Sequence, residues 1–449
     1  MDSGNVTGPG ARRTLVNPFD FFSELLRSNS DQVIHMVLYF DGSVDHLKMQ
    51  WAVRDAILTE NVCHSRLVES EDTLWWEPLP SVHPGDYFSV LERTGLDMAL
   101  PRALSENIDP YKGPQIRVFL IRPGEGTGDV LVINASHVAM DGRGLKDLTG
   151  LIMEFYYHSE KGPSFVTHKN LYKYQYLPLI STLLPHPCTS DGNDEAPVAP
   201  GRWTFPVQSP DAHNPSFAVM TIPGPRVATI HSKRKDLGVT VNDLILAVIA
   251  RASANLMAGC DQPACSFLNT VDMRRYHPVS GRSVTNYSTA FEVRIPVTPA
   301  DSISGLCGVV HKIMENKKND LPGIKEALDA ELLWKSGVNA ARETFRARMS
   351  DPENYDARIP IFTNTGIIDL DRTNHCIPPV KNAWLLPCHA PPPAIFIAIS
   401  TYRDTITISS TYHRPAVADE QVQSFYDWIN LLLPGYSGKD GQARLQFIP

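Results

Sequence analysis

Between Pro178 and Pro225 the chain carries ten prolines and the polar run Thr189 to Glu195. Proline fixes its own φ, removes a backbone donor and pushes the residue before it out of the helical region, so this stretch cannot sustain regular structure over most of its length. It divides a chain of 449 residues into two parts, each long enough to bury a core of its own. The spacing predicts an N-terminal half over residues 1–190, a proline-rich crossover linker over 191–215 and a C-terminal half over 216–449.

Both halves read as alternating strands and helices. In the first, Val33 to Phe40 is a strand closed by an Asp41-Gly42 turn. A helix follows with Val44, Leu47, Trp51 and Leu58 on one face, running on to His64-Ser65-Arg66-Leu67. Trp75-Trp76 reads as a core pair, and Ile116 to Arg122 and Val130 to Ser136 as adjacent strands. In the second half Phe217 to Ile222 is a short strand. Thr240-Val241-Asn242-Asp243 is a capping box that opens a buried helix. Ser266 to Asp272 is the next strand, followed by helices over Ile303 to Met314 and Ile324 to Met349. Ala394 to Thr401 and Thr405 to Thr411 are strands, the latter alternating and therefore expected to be half-buried. A helix over about Val417 to Leu433 ends the pattern, and Gly435 to Pro449 carries none.

The stretch Asn134-Ala135-Ser136-His137-Val138-Ala139-Met140-Asp141-Gly142 joins a β-branched run to a helix whose Leu145, Leu148, Ile152 and Phe155 recur at spacings of three and four. His137 therefore sits where a strand gives way to a helix. A histidine there serves either as a structural hydrogen bonder or as a base. Asp141, four residues on, can brace the loop from behind while the imidazole points into a cavity, and Gly142 removes a side chain where backbone passes closely. A neutral imidazole can take the proton of an alcohol or amine attacking a thioester, which is worth about 10²–10⁴ in rate. No G-x-S-x-G elbow calls for a covalent serine. Arg274, at the end of Val271-Asp272-Met273-Arg274, is either a solvent-facing charge or the buried partner of Asp141.

A net charge of −8 and a pI near 6.0 argue against a nucleic-acid partner. The seven cysteines are scattered without C-x-x-C pairs, so no metal site is expected and reduced thiols are. The polar N-terminus and the lack of any long apolar run predict no secretory signal, no membrane span and a cytoplasmic location.

Taken together, four anchors resemble the condensation-domain superfamily of nonribosomal peptide synthesis and its free-standing HxxxD acyltransferase relatives, related to chloramphenicol acetyltransferase. They are Ser136 to Gly142, Val271 to Arg274, Ser283 to Ser288, and Phe362 to Gly366, which resembles a late Asn-Gly turn. The resemblance covers nearly the whole chain. It implies an α/β fold of two chloramphenicol-acetyltransferase-like halves, each a mixed sheet flanked by helices, arranged as a V with a central tunnel holding His137. It further implies acyl transfer from acyl-CoA or a carrier-protein thioester to a small alcohol or amine, with His137 as general base, service in secondary metabolism, and no cofactor beyond the thioester co-substrate. No carrier domain is recognised in the chain, so the donor is expected to arrive in trans. Asn286 and Asn364 are nominated to line the tunnel as oxyanion donors. Two departures stand out. Ser136 occupies the place of a first histidine in the synthetases, and Asp272 the place of a frequent asparagine, a pattern that fits a stand-alone O- or N-acyltransferase better than an excised synthetase module. A fold repurposed for cyclisation or another reaction, or kept as a carrier-binding scaffold, is the competing reading.

Overall fold

The seven residues of strand Val130–Ser136 are all buried, because the strand is covered on both faces. Leu131, Ile133 and Ala135 enter a core shared with the helices His46–Thr59 and Gly142–His158, while Val130 and Val132 enter a second cluster on the opposite face. A run of Val, Leu and Ile without polar alternation is what two-sided burial requires. The computed structural model describes residues 13–92, 95–124, 127–158, 205–206, 208–209, 212–257, 264–276, 281–350, 359–370, 377–436 and 443–448.

Two mixed sheets flanked by helices form the body of the molecule. The five-stranded sheet runs in the order Val380–Leu386, Val33–Phe40, Val130–Ser136, Ile116–Arg122, Phe88–Glu92. The seven-stranded sheet runs Ser288–Pro296, Ala264–Asp272, Ile361–Ile367, Phe396–Tyr402, Thr405–Pro415, Ala212–Ile222, Arg444–Ile448. A small third sheet joins Thr14–Leu15, Thr73–Pro78 and Ser65–Ser70. Each main sheet has its own apolar core. Phe217, Val219 and Ile448 of the larger sheet meet Val37, Phe119, Trp384 and Leu386 of the smaller one in a seam between them.

One strand from the C-terminal part of the chain joins the five-stranded sheet. Val380–Leu386, expected within the C-terminal half, pairs antiparallel with Val33–Phe40, with Trp384 opposite Val37. The linker 191–215 lies largely outside the described residues, and its end, from Ala212, already runs in strand Ala212–Ile222. Pro215 is tolerated there although Thr405–Pro415 and Arg444–Ile448 flank the strand, because it lies before the stretch that pairs with Arg444–Ile448.

Other expectations need correction for physical reasons. The helix after Asp41-Gly42 ends at Thr59, and Ser65 to Ser70 form a strand. Its buried face is Met49, Ala52, Val53, Ala56 and Ile57, whereas Leu47, Trp51 and Leu58 are 54 %, 59 % and 51 % exposed. Ala52 and Ala56 let this helix lie close to Gly142–His158, a packing choice that hydrophobicity alone does not reveal. Ile324 to Met349 is two helices, Ile324–Lys335 and Val338–Ser350, parted at Gly337 with φ +86°. Strand Thr405–Pro415 is not half-buried: Ile406 through Tyr412 are all buried between a helical layer and the seam. Phe362 to Gly366 is part of a strand with a bulge between Asn364 and Gly366. The tail contributes strand Arg444–Ile448.

Several expectations agree with the structure in substance. Of the expected core pair Trp76 is buried, donating its Nε1–H to Asp20 Oδ2 at 2.9 Å, and Trp75 is half-buried; the capping box at Thr240 and Asp243 is formed. Among the described residues no single helix is long and apolar enough to cross a membrane. Cys63, Cys265, Cys307 and Cys388 are buried and free of disulfides, and the other three cysteines lie outside the described residues.

Candidate active site

Asp141 is the N-cap of helix Gly142–His158. Its Oδ1 accepts from Gly144 N at 2.8 Å and its backbone oxygen from Leu145 N at 2.8 Å. An aspartate at this position satisfies a donor that the helix leaves orphaned and sets negative charge at the positive end of the helix dipole. Its second oxygen leaves the helix altogether: Oδ2 accepts from Arg274 Nη1 at 2.7 Å and from Tyr287 N at 2.7 Å. Residues 133 and 146 positions away in the sequence are thereby pinned to the motif loop.

Arg274 lies in a 3-10 turn at the end of strand Ala264–Asp272, its side chain 8 % exposed. Its Nη1 also donates to Asp272 Oδ1 at 2.9 Å, and its Nη2 to the carbonyls of Ser283 at 3.1 Å and Thr285 at 2.9 Å. The guanidinium stacks over the Tyr287 ring, 5.3 Å from its centroid. Burial opposes charge on both partners, yet the Arg274 guanidinium holds the Asp141 carboxyl below the usual carboxylate range, and the two aspartates raise Arg274. Asp272, the departure from asparagine, caps the turn by accepting from Arg274 N at 3.0 Å.

His137 sits on the turn just before Asp141. Its backbone N–H donates to Gln32 O at 2.8 Å, and its backbone oxygen accepts from Asn286 Nδ2 at 2.9 Å. The ring makes no hydrogen bond to Asp141, whose two oxygens are committed elsewhere. Ring nitrogen Nδ1 is sealed from solvent; the backbone at His137 and Met140 faces the ring without giving Nδ1 a bond of good geometry. Burial pushes the imidazole pKa below 6.5, against the opposing pull of the Asp141 charge. The ring is thus neutral at neutral pH, the state in which it can accept a proton.

Close packing explains the glycines. A Cβ on Gly144 would lie 2.9 Å from Thr285 O and 3.1 Å from Thr285 N, so the helix start meets the 283–287 segment backbone to backbone. Gly142 is roomier, a Cβ there meeting Leu385 Cδ1 at 3.5 Å and Thr365 Cγ2 at 3.6 Å.

Both nominated asparagines are bonded within the protein. Asn286, 1 % exposed, gives its amide N–H groups to Ser23 Oγ at 2.9 Å and His137 O at 2.9 Å, with Phe19 O at 3.5 Å, while its Oδ1 accepts from Ser288 N at 3.2 Å. It is a clamp on the His137 backbone. Asn364 is turned toward Asn242, donating to its Oδ1 at 3.2 Å, and accepts from Gly366 N at 3.0 Å. It is Thr365 that faces Gly142. Gln32, Ser23 and the Tyr287 backbone were missed from the sequence because their bonds to this centre are long-range. The Asp141-x-x-Gly144 cap was readable as an N-cap signal.

No protein-family model matches the chain, and no curated protein matches it in sequence. Solved structures do. The TRI3 trichothecene 15-O-acetyltransferase of Fusarium sporotrichioides superposes with a TM-score of 0.72 over 96 % of this chain and 96 % of that one, at 15 % identity. The first condensation domain of the CDA synthetase gives 0.64 over 97 % and 99 %, at 12 % identity. The epimerization domain from the third module of tyrocidine synthetase B gives 0.63 over 96 % and 97 %, at 12 % identity. The chain has the two-lobed fold of condensation domains and chloramphenicol-acetyltransferase-like acyltransferases.

Proposed function

We propose that the protein is an acyltransferase that moves an acyl group from a thioester, acyl-CoA or carrier-bound, to an alcohol or amine acceptor in secondary metabolism, with His137 as general base. The observation that carries this reading is the division of roles at the motif: Asp141 is spent on the helix cap and Arg274, while the imidazole beside it stays neutral and unbonded to any carboxylate. With Nδ1 sealed against backbone, the ring's single proton belongs there, and Nε2 is left to accept one. As the acceptor oxygen or nitrogen bonds to the thioester carbon, its proton passes to Nε2; the tetrahedral intermediate then expels the thiolate, which takes that proton. Gln32, Asn286 and Ser23 act through the His137 backbone as positioning residues.

The fold itself is compatible with more than one reaction, since an epimerization domain shares it. Mass spectrometry of the purified chain with acyl-CoA donors and a panel of alcohols and amines tests the reading. Acylated product is expected, falling at least about a hundredfold in His137→Ala, the low end of general-base effects. A folded His137→Ala protein of undiminished activity would remove the base, and a rearranged acceptor without acyl gain would put a repurposed reaction in its place.

A further inference from the structure

Three imidazoles outside the motif are packed together in the seam between the main sheets. His35 comes from strand Val33–Phe40, His389 follows strand Val380–Leu386 of the same sheet, and His413 belongs to strand Thr405–Pro415 of the larger sheet. The ring of Phe217 lies 6.0 Å from that of His35 and 5.1 Å from that of His389, and the rings of His389 and His413 are 4.9 Å apart. His35 and His389 are 0 % and 1 % exposed. One ring nitrogen, His35 Nδ1, is bonded, to Asn134 Oδ1 at 2.9 Å. His35 Nε2 and both nitrogens of His389 and His413 are sealed from solvent without a partner. The backbone at Ser216 lies against His389 and that at Ala390 against His413, closing no bond of good geometry to either ring. Among the described residues no three such side chains are arranged to hold a metal ion.

We propose that His35, His389 and His413 form a proton-sensitive lock on the seam: neutral, they pack dry and hold the two sheets together; protonated, they drive them apart. An imidazolium here would bring two donors and a charge into a place where the one bonded acceptor is Asn134 Oδ1, at His35 Nδ1. The groups facing the rings offer no counter-charge. His389 faces His35 and His413, each of which disfavours its proton. Adjoining Cys388 is held as a neutral thiol by burial and by Asp31, and Asp31 itself is pushed up to about 6 by burial, so it sheds charge in the range where the imidazoles would gain it. Beside His413 on its own strand, Tyr412 and Arg414 bond Asp419, at 2.7 and 2.6 Å.

Burial holds all three imidazoles below 6.5, His35 down at about 4. Between a folded pKa and a higher open-state one, the open state binds more protons. The closed seam is therefore fully favoured above about 6.5 and loses ground as the pH falls toward about 4. Between its own folded pKa and about 6.5 each such histidine lowers the closed-to-open ratio by up to about tenfold per pH unit. The lock reaches the motif through Gln32, whose Nε2 donates to His389 O at 3.5 Å and whose backbone oxygen accepts from His137 N at 2.8 Å. It stands on the seam geometry and holds whether or not the chain transfers acyl groups.

The test follows the full chain by small-angle scattering and far-UV circular dichroism from neutral pH into acid, with ¹³C-labelled histidine observed by NMR. The expected result is a reversible, multi-proton expansion with a midpoint below 6.5 while helical signal is retained. Three histidine signals should stay in the neutral form until that expansion, and in His389→Phe the transition should lose about one proton and move to lower pH. If that variant does not fold, the parent's NMR titration decides alone. Free titration of every histidine near 6.5, an unchanged proton number in a folded His389→Phe protein, or expansion only together with loss of helical signal would each overturn the lock.

Discussion

Replacing Asp141 by asparagine tests the centre most directly. The carboxylate takes three short bonds, from Arg274 Nη1 at 2.7 Å, Tyr287 N at 2.7 Å and Gly144 N at 2.8 Å. An asparagine keeps one acceptor oxygen and presents an N–H₂ group in place of the other. Turned one way it sets donors against Arg274 and Tyr287; turned the other, against Gly144. Breaking a buried ion pair from one side costs about 3–5 kcal/mol. Arg274 would still have Asp272 at 2.9 Å and two carbonyls, which places the expected loss at the lower end, about 3 kcal/mol. Arg274→Ala should cost a similar amount, because it strands a buried carboxylate with two backbone donors. The double variant should fall short of the sum by about 0.5–3 kcal/mol, since each change removes the same contact. Urea unfolding of the four proteins, with m-values compared to guard the two-state treatment, measures the coupling. Additive losses would refute the shared contact. An Asp141→Asn protein of full stability whose pH–rate profile alone has changed would refute the brace and assign proton chemistry to Asp141.

The remaining predictions concern the imidazole and its supports. Because burial depresses the His137 pKa, a neutral ring acting as the proposed base should give full kcat/KM at neutral pH and an acid limb with a midpoint below 6.5; a midpoint above that value contradicts the burial argument. Gly144→Ala should destabilise by about 1–3 kcal/mol, because its Cβ would meet Thr285 backbone at 2.9 Å. Thermal unfolding reads this, and a gain in stability, as expected for alanine in an uncrowded helix, would show that the helix start and the 283–287 segment are not in contact. Asn286→Ala should leave the His137 carbonyl and Ser23 Oγ without their shared donor and cost about 1–3 kcal/mol. Its effect should fall on kcat more than on KM, and an unchanged kcat in the folded variant would end its positioning role.

How much of this was legible depended on the range of the forces involved. The strand at Val130 to Ser136 and the helix after Asp141 are written in local pattern, and the structure places both where the periodicity does. The contact between Asp141 and Arg274 was readable as a possibility, because a buried charge needs a partner, and the two meet at 2.7 Å. What failed was the choice of face and of neighbour. Leu47, Trp51 and Leu58 look like a core stripe, but the helix turns Met49, Ala52, Val53, Ala56 and Ile57 inward. Nothing in Val380 to Leu386 announces that it crosses to the other sheet, because strand pairing is decided by shape and register at long range. The asparagines' partners were hidden in a related way. Turn chemistry marks Asn286 and Asn364 as polar residues with something to bond, but only the fold tells that Asn286 clamps the His137 backbone and Asn364 turns to Asn242.

The electrostatics of the motif explain why its acid stands four residues from its histidine without touching the ring. A carboxylate bonded to an imidazole favours the imidazolium, and an imidazolium cannot take a proton. Here the Asp141 charge is felt at His137 and pulls its pKa upward, yet burial outweighs it. It can do so because the carboxylate's short bonds go to Arg274, Tyr287 and Gly144, so its charge is compensated by a guanidinium and two backbone dipoles. Arg274 is in turn held by Asp272 and by the carbonyls of Ser283 and Thr285, on the segment against which Gly144 packs. One carboxylate therefore caps the helix, ties the 3-10 turn and the 283–287 segment to the motif, and leaves the neighbouring ring neutral. Bonding it to the histidine instead would leave Arg274 short of a carboxylate and shift His137 toward its protonated form.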